Sequence, residues 1–151
     1  MKKKISDSVF SNNIRRNILK LSHKANSSHV GSSLSIVDML TVIYNQIIEG
    51  KSKIELKKNK YQIILSKGHA CLALYCALYE KKILDKKTLF SYGSDKSILM
   101  QHVSHKVPGV LFSTGSLGHG LPVGIGLALS SKLNNKNKKI FVIISDGELN
   151  E

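Results

Sequence analysis

Two short runs constrain this chain more than any other feature. Tyr61-Gln62-Ile63-Ile64-Leu65 and Ile140-Phe141-Val142-Ile143-Ile144 are apolar and rich in β-branched residues. Each leads directly into a polar turn containing glycine, Ser66-Lys67-Gly68-His69 in one case and Ser145-Asp146-Gly147 in the other. A strand that reads as a continuous apolar run is one covered on both faces. The segments between these runs have helical spacing. Such strands alternating with helices predict an α/β fold, a parallel sheet with helices on both faces. Ligands of these sheets bind beyond the carboxyl ends of the strands, so a site is expected at the two turns.

Ile14, Ile18 and Leu21 predict an amphipathic helix over about residues 8–25. Residues 26–33 read as a polar loop with one glycine, and Leu34 to Ile48 as a second helix. Its apolar face is Ile36, Val37, Leu40, Ile43, Tyr44 and Ile47, and Gly50 is its expected stop. Residues 51–60 are lysine-rich and loop-like. A helix is expected over Ala70–Glu80, a short one over Thr88–Tyr92, and irregular chain as far as Pro108. The turn Ser113–Gly120 precedes a helix from Leu121 to Leu133, where Gly124 and Gly126 would both permit close packing on a neighbour.

A chain of 151 residues with 42% hydrophobic and 22% charged side chains suits one globular domain. It has no apolar run approaching ~20 residues, so no spanning helix is expected. Met1-Lys2-Lys3-Lys4 is followed by polar residues rather than an apolar stretch, which argues against a secretory leader and for the cytoplasm. Cys71 and Cys76 have neither metal-binding nor disulfide-framework spacing and are expected as buried thiols. The net charge of +13 invites a nucleic-acid partner. However, Arg15 and Arg16 are the only arginines among 23 basic residues, the lysines lie in short scattered runs, and no aromatics interleave with them. The expectation is a solvated lysine surface, with neither nucleic acid nor membrane as partner.

Three constellations bear chemistry. Asp146-Gly147 at a strand end offers a carboxylate to a hard cation such as Mg²⁺, though a strand running into Asp-Gly is also a common turn. Three glycines within Ser113–Gly120, just ahead of a helix, can turn backbone N–H groups toward an anion, and they equally suit a tight turn. The segment matches neither a Walker A loop nor a dinucleotide fingerprint. His29, His69 and His102 stand in polar or glycine-containing loops, positions that suit ligand contact and proton transfer as well as simple exposure. His102 and His105 have the spacing of a metal pair but no companion ligand nearby in sequence.

Taken in order, these segments resemble those of transketolases. Ser28-His29-Val30-Gly31-Ser32-Ser33-Leu34-Ser35 is similar to their S-G-H-P-G-x-x-L-x, and Ile64-Leu65-Ser66-Lys67-Gly68-His69-Ala70 to a strand followed by L-S-x-G-H-A. Leu74-Tyr75 falls where that family has Leu-Tyr. Gln101-His102 ahead of Pro108-Gly109-Val110 resembles G-H-P before P-G-V. Ser113-Thr114-Gly115-Ser116-Leu117-Gly118-His119-Gly120 resembles S-T-G-S-L-G-Q-G, and Ser145-Asp146-Gly147-Glu148-Leu149-Asn150-Glu151 resembles G-D-G-E-x-x-E. The forms are most like those of split, two-subunit transketolases. Deoxyxylulose-phosphate synthases share the fold, but their G-H-Q-type sequence is not matched by His69-Ala70.

The resemblance implies the N-terminal part, residues 1–151, of a thiamine-diphosphate-binding fold. It implies ketol transfer between sugar phosphates with thiamine diphosphate and Mg²⁺ (or Ca²⁺). Asp146 would ligate the metal, and Gly147 and His69 would contact the diphosphate. Gly115, Ser116 and Leu117 would line the cofactor. His29 and His102 would meet the sugar and move protons at its hydroxyls. Glu151 would belong to a carboxylate network at a dimer interface. The pyrimidine ring would be held by a further domain or C-terminal subunit, in a homodimer or heterotetramer. The family's metal motif continues roughly 25 to 30 residues beyond Asp146 with an asparagine ligand. This sequence stops before that point, so the chain by itself is expected to be inactive, as a fragment or remnant of such an enzyme. Four departures stand out. Val30 and Val103 replace prolines, which removes a fixed φ at each. His119 replaces a glutamine, and Ser145 replaces a glycine, adding a hydroxyl near the diphosphate.

Overall fold

The computed structural model describes residues 5–48 and 60–151. The expected stop at Gly50 and nearly all of the lysine-rich loop lie outside these residues. Helix α1 (Asp7–Lys24) begins where the Ser6 hydroxyl accepts the Val9 N–H at 3.3 Å. Asp7 in its first turn and His23 and Lys24 in its last complement the helix dipole. Its inward stripe of Phe10, Ile14, Ile18 and Leu21 is fully buried, as the spacing predicts.

The next segment departs from expectation. The polar stretch after α1 already contains helix α2 (Val30–Leu34), and the single helix expected over Leu34–Ile48 is broken. After a bend at Ser35-Ile36, α3 (Val37–Thr41) passes into a π-helical turn, Val42–Ile47. Ser35 turns its hydroxyl back to the Ser32 carbonyl at 2.9 Å, which competes with helix continuation. The wider π turn shifts the inward face. Ile43, Tyr44 and Ile48 are buried, Ile47 is only half-buried, and Asn45 is drawn inside. There Asn45 donates to the Ile5 carbonyl at 3.1 Å and to the Asp7 carboxylate at 2.7 Å, tying the π turn to the start of α1.

Strand β1 (Tyr61–Leu65) is followed by a 3₁₀ turn, Gly68–Ala70, and helix α4 (Cys71–Glu80). From Cys71 to Leu78 every side chain of α4 is buried, which its Ala- and Leu-rich sequence allows on all sides. Both cysteines are buried free thiols, and burial pushes Cys71 up to about 12. Helix α5 (Lys86–Phe90) is capped by Asp85, whose carboxylate accepts the Thr88 N–H at 2.7 Å. Helix α6 (Gly120–Leu133) leads into β2 (Lys139–Ile143) and a closing 3₁₀ turn, Gly147–Asn150.

β1 and β2 pair in parallel, from Tyr61 with Lys139 to Leu65 with Ile143. One face of the pair carries Ile64, Ile140 and Val142 and receives α6. The other carries Leu65 and Ile143 and joins the core built from α1, α3 and α4. Helices thus cover both faces, as the apolar runs predict. Gly124 is where α6 meets the sheet, because a Cβ there would strike Val142. Gly126 plays no such part; a Cβ there would meet nothing within 4 Å. Gly126→Ala should therefore stabilise the protein by about 0.5–1 kcal/mol through helix propensity alone. A drop in the denaturation midpoint would show that the position is packed after all. On the outer side of α6, Leu121, Ile125, Leu129 and Leu133 recur every fourth residue and are 39–81% exposed.

Candidate functional site

The turns after both strands and the glycine-rich segment before α6 converge. At the end of β1 the Ser66 N–H donates to the Ile143 carbonyl at 2.8 Å, and the Thr114 hydroxyl donates to the Leu65 carbonyl at 2.5 Å. Gly68 has no side chain because there is no room for one. A Cβ there would lie 2.7 Å from the Thr114 carbonyl carbon and closer still to its oxygen. A Cβ on Gly120 would lie 2.6 Å from Ser66 Oγ. Gly118 has φ +77° and lies under Glu151, whose Cβ would be 2.8 Å from an added Cβ. These three glycines serve close approach of one loop to another. Gly115 and Gly147 do not: the nearest atom to a Cβ on Gly115 is His102 Cδ2 at 3.8 Å, and Gly147 opens onto empty space.

Three imidazoles from separate loops gather beside Gly115. His29, at the start of α2, has its ring centroid 5.2 Å from that of His69 and 6.2 Å from that of His102. The His102 loop is anchored from below, where the buried Tyr75 hydroxyl donates to the His102 carbonyl at 2.9 Å. Val103, in place of the family's proline, is a core residue. His69 is half-buried and its pKa is lowered, first by burial and then by the charges of His29 and Lys67, with Glu148 opposing. It is therefore neutral around pH 7 and able to donate from one ring nitrogen. Lys67 is only 8% exposed, and it reaches Ser35 Oγ at 3.3 Å.

Asp146 stands at the N-cap of the closing 3₁₀ turn, exposed, and its carboxylate caps no N–H of the turn. The other expected residues, Ser116, Leu117, Gly147 and Glu151, are exposed as well. His105 pairs with Ser113, its Nδ1 2.7 Å from the hydroxyl, and among the described residues no three His, Cys, Asp or Glu side chains cluster closely enough to hold a metal.

The residue that sequence reasoning passes over is Glu148. It is 5% exposed, and its carboxylate accepts four hydrogen bonds. One oxygen takes the Ser66 hydroxyl at 2.7 Å and the Gly118 N–H at 3.1 Å. The other takes the Ser145 N–H at 2.8 Å and the Ser145 hydroxyl at 3.2 Å. Burial would raise its pKa, but these donors from Ser66, Ser145 and Gly118 outweigh burial and hold it below the ordinary carboxylate value. The hydroxyl that Ser145 adds, where the family has glycine, is thus engaged by Glu148. The sequence holds one signal: Glu148 is the acidic residue within the G-D-G-E-like segment.

A parallel sheet covered by helices, with its polar loops joined at the carboxyl ends of the strands, defines an α/β protein of the class that binds ligands there. Known proteins sharpen this. The transketolase, thiamine diphosphate binding domain family matches residues 6–151. The chain is 41% identical over 142 residues to the first of the apulose-4-phosphate transketolase subunits of Actinobacillus succinogenes, covering 91% of this chain and 51% of that protein. It is 36% identical over 140 residues to the protein of the same name from Phocaeicola vulgatus, covering 91% and 49%. The crystal structure of transketolase from Campylobacter jejuni superposes with a TM-score of 0.85 at 26% identity, over 94% of this chain and 24% of that one. The chain spans about half the length of the curated relatives it matches. It belongs to the transketolase family, in that family's thiamine diphosphate binding domain.

Proposed function

We propose that this chain holds the diphosphate end of thiamine diphosphate together with Mg²⁺ (or Ca²⁺), as the N-terminal part of a transketolase-type diphosphate-binding domain. The protein it serves transfers a two-carbon ketol unit between sugar phosphates. The observation that carries this reading is the gathering of His29, His69, His102 and Gly115, from four separate segments, beyond the end of β1. The residues fit the cofactor. Gly115 and Gly147 leave backbone uncovered where a ligand can approach, and nothing in the packing accounts for their missing side chains. Asp146 offers an uncapped hard oxygen donor, and Mg²⁺ is commonly held by one or two carboxylates together with ligand phosphates.

In this reading Asp146 ligates the metal, and Gly147, His69, Gly115, Ser116 and Leu117 contact the cofactor. The thiamine ring, when bound, supplies carbanion stabilisation. His29 and His102 are exposed on the open side and orient the sugar, taking and returning protons at its hydroxyls. Glu151 lies at the contact with a partner. That partner is a pyrimidine-binding domain or C-terminal subunit, in a homodimer or heterotetramer. Two of the relatives carry names that make them one component of a transketolase with more than one polypeptide, which supports it. The apolar stripe on α6 supports a covering element as well. No helix among the described residues is long and apolar enough to cross a membrane, and the proposed location is the cytoplasm.

Calorimetric titration with thiamine diphosphate tests this reading; binding heat is expected with Mg²⁺ and not with EDTA. Binding without any dependence on a divalent cation, or none at all, would overturn it. The pH dependence has a definite sign. The folded state disfavours protonated His69, so its contribution to stability is full above the ordinary imidazole value of about 6.5 and falls as the pH drops through it. A diphosphate beside the ring favours the protonated form and raises its pKa. Near pH 6, cofactor binding should therefore take up protons, seen as binding enthalpies that differ between buffers of different ionisation heat. Equal enthalpies would remove His69 from the diphosphate site.

A further inference from the structure

We infer that Glu148 is the positioning residue of the diphosphate and metal loops, a buried carboxylate that joins three chain segments and so sets the place of Asp146 and Gly147. The inference rests on the proposed cofactor site but is argued from geometry of its own. The Glu148 carboxylate stands between the ends of both strands and the turn ahead of α6, and it binds each: Ser66 after β1, Ser145 after β2, and Gly118 before α6. Ser66 extends the junction, because the hydroxyl that donates to Glu148 also accepts the Gly120 N–H at 3.1 Å. The strand ends and the start of α6 therefore meet on two side chains.

The chemistry suits a fixed position better than a flexible one. A buried carboxylate whose lone pairs all point at N–H and O–H donors makes charge-assisted bonds, roughly twice as strong as neutral ones. Glu148 also lies in the same 3₁₀ turn as Gly147, with Asp146 at that turn's N-cap. Fixing its carboxylate fixes the turn and with it Asp146, two residues earlier in the chain. The contacts leave Asp146 and Gly147 exposed, so the clamp holds the segment without covering it. Glu148 is buried beneath them and acts through its neighbours.

Glu148→Gln tests this. The amide nitrogen has two N–H donors where the carboxylate had an acceptor, so either the Ser66–Gly118 pair or the Ser145 pair loses its partner. We expect thiamine diphosphate affinity in Mg²⁺ to fall at least about tenfold, a scale typical of supporting residues at metal sites. Hydrogen exchange should quicken at the Gly118, Gly120 and Ser145 amides while the amides of β1, β2 and α4 keep their protection. A merely structural role would instead speed exchange throughout the sheet and lower the thermal midpoint in proportion. Ser66→Ala removes one donor and should show the same local pattern at Gly118 and Gly120, which keeps the test available if the glutamine variant does not fold. Unchanged affinity in Glu148→Gln, or unchanged exchange at the three amides, would overturn the inference. Should the wild-type chain bind no cofactor, the proposed function fails, and the exchange pattern alone decides whether Glu148 holds the loops together.

Discussion

Gly68→Ala is expected to cost about 3 kcal/mol of stability, a large share of what a domain of this size has. The added Cβ would fall on the backbone of Thr114, and backbone cannot swing aside as a flexible side-chain end can. The site loop would have to move with it, since Thr114 is itself tied to β1 through the Leu65 carbonyl and to Val103 through its N–H. Urea denaturation measures the effect, and a loss under about 1 kcal/mol would mean that the two loops separate easily. Loss of protection at the Ser66 amide, which bonds to the Ile143 carbonyl, should accompany the destabilisation, because that bond closes the same end of the sheet.

Asp146→Ala should show the opposite balance. The side chain is exposed and caps nothing, so stability should stay within about 0.5 kcal/mol of wild type. Affinity for thiamine diphosphate in Mg²⁺ should nevertheless fall about 100-fold, the upper end of what supporting residues at metal sites cost and a reasonable floor for a direct ligand. The dependence on Mg²⁺ should disappear with it. Retained Mg²⁺-dependent binding in this variant would exclude Asp146 as the metal ligand. Together the two substitutions separate what holds the loops from what the loops hold.

Much of this is legible in the sequence, for identifiable reasons. The strands are continuous apolar runs, and a parallel pair covered on both faces satisfies them; the expected and observed strand ends agree within a residue. Helix α1 is legible because its stripe follows a strict 3.6-residue period. The break at Ser35-Ile36 and the π turn beyond it are not, because a period-based reading assumes one helical pitch. The serine-rich stretch that hides α2 reads as loop for the same local reasons that make serine a poor interior helix residue. Gly124 and Gly126 are alike in sequence, and only their faces distinguish them: one meets Val142 and the other faces open space. The candidate site is legible as a set of glycines and histidines at strand ends. Glu148 is not, since an acidic residue in a polar turn is normally solvated. Its burial arises only when Ser66 and Gly118, 82 and 30 residues away in sequence, are brought to it.

The parallel pairing has a kinetic consequence. Tyr61 pairs with Lys139, so roughly 78 residues must be looped before the first rung of the ladder forms, an entropy cost of about 4 kcal/mol. By contrast, α1, α2, α3 and α4 meet over shorter stretches of chain and bury most of the core without the second strand. A helical subdomain that forms early, with β2 and the turn carrying Asp146 docking late, is the order this topology favours. The segment that carries Asp146 would then be the last part to become ordered during refolding and the first part lost on heating.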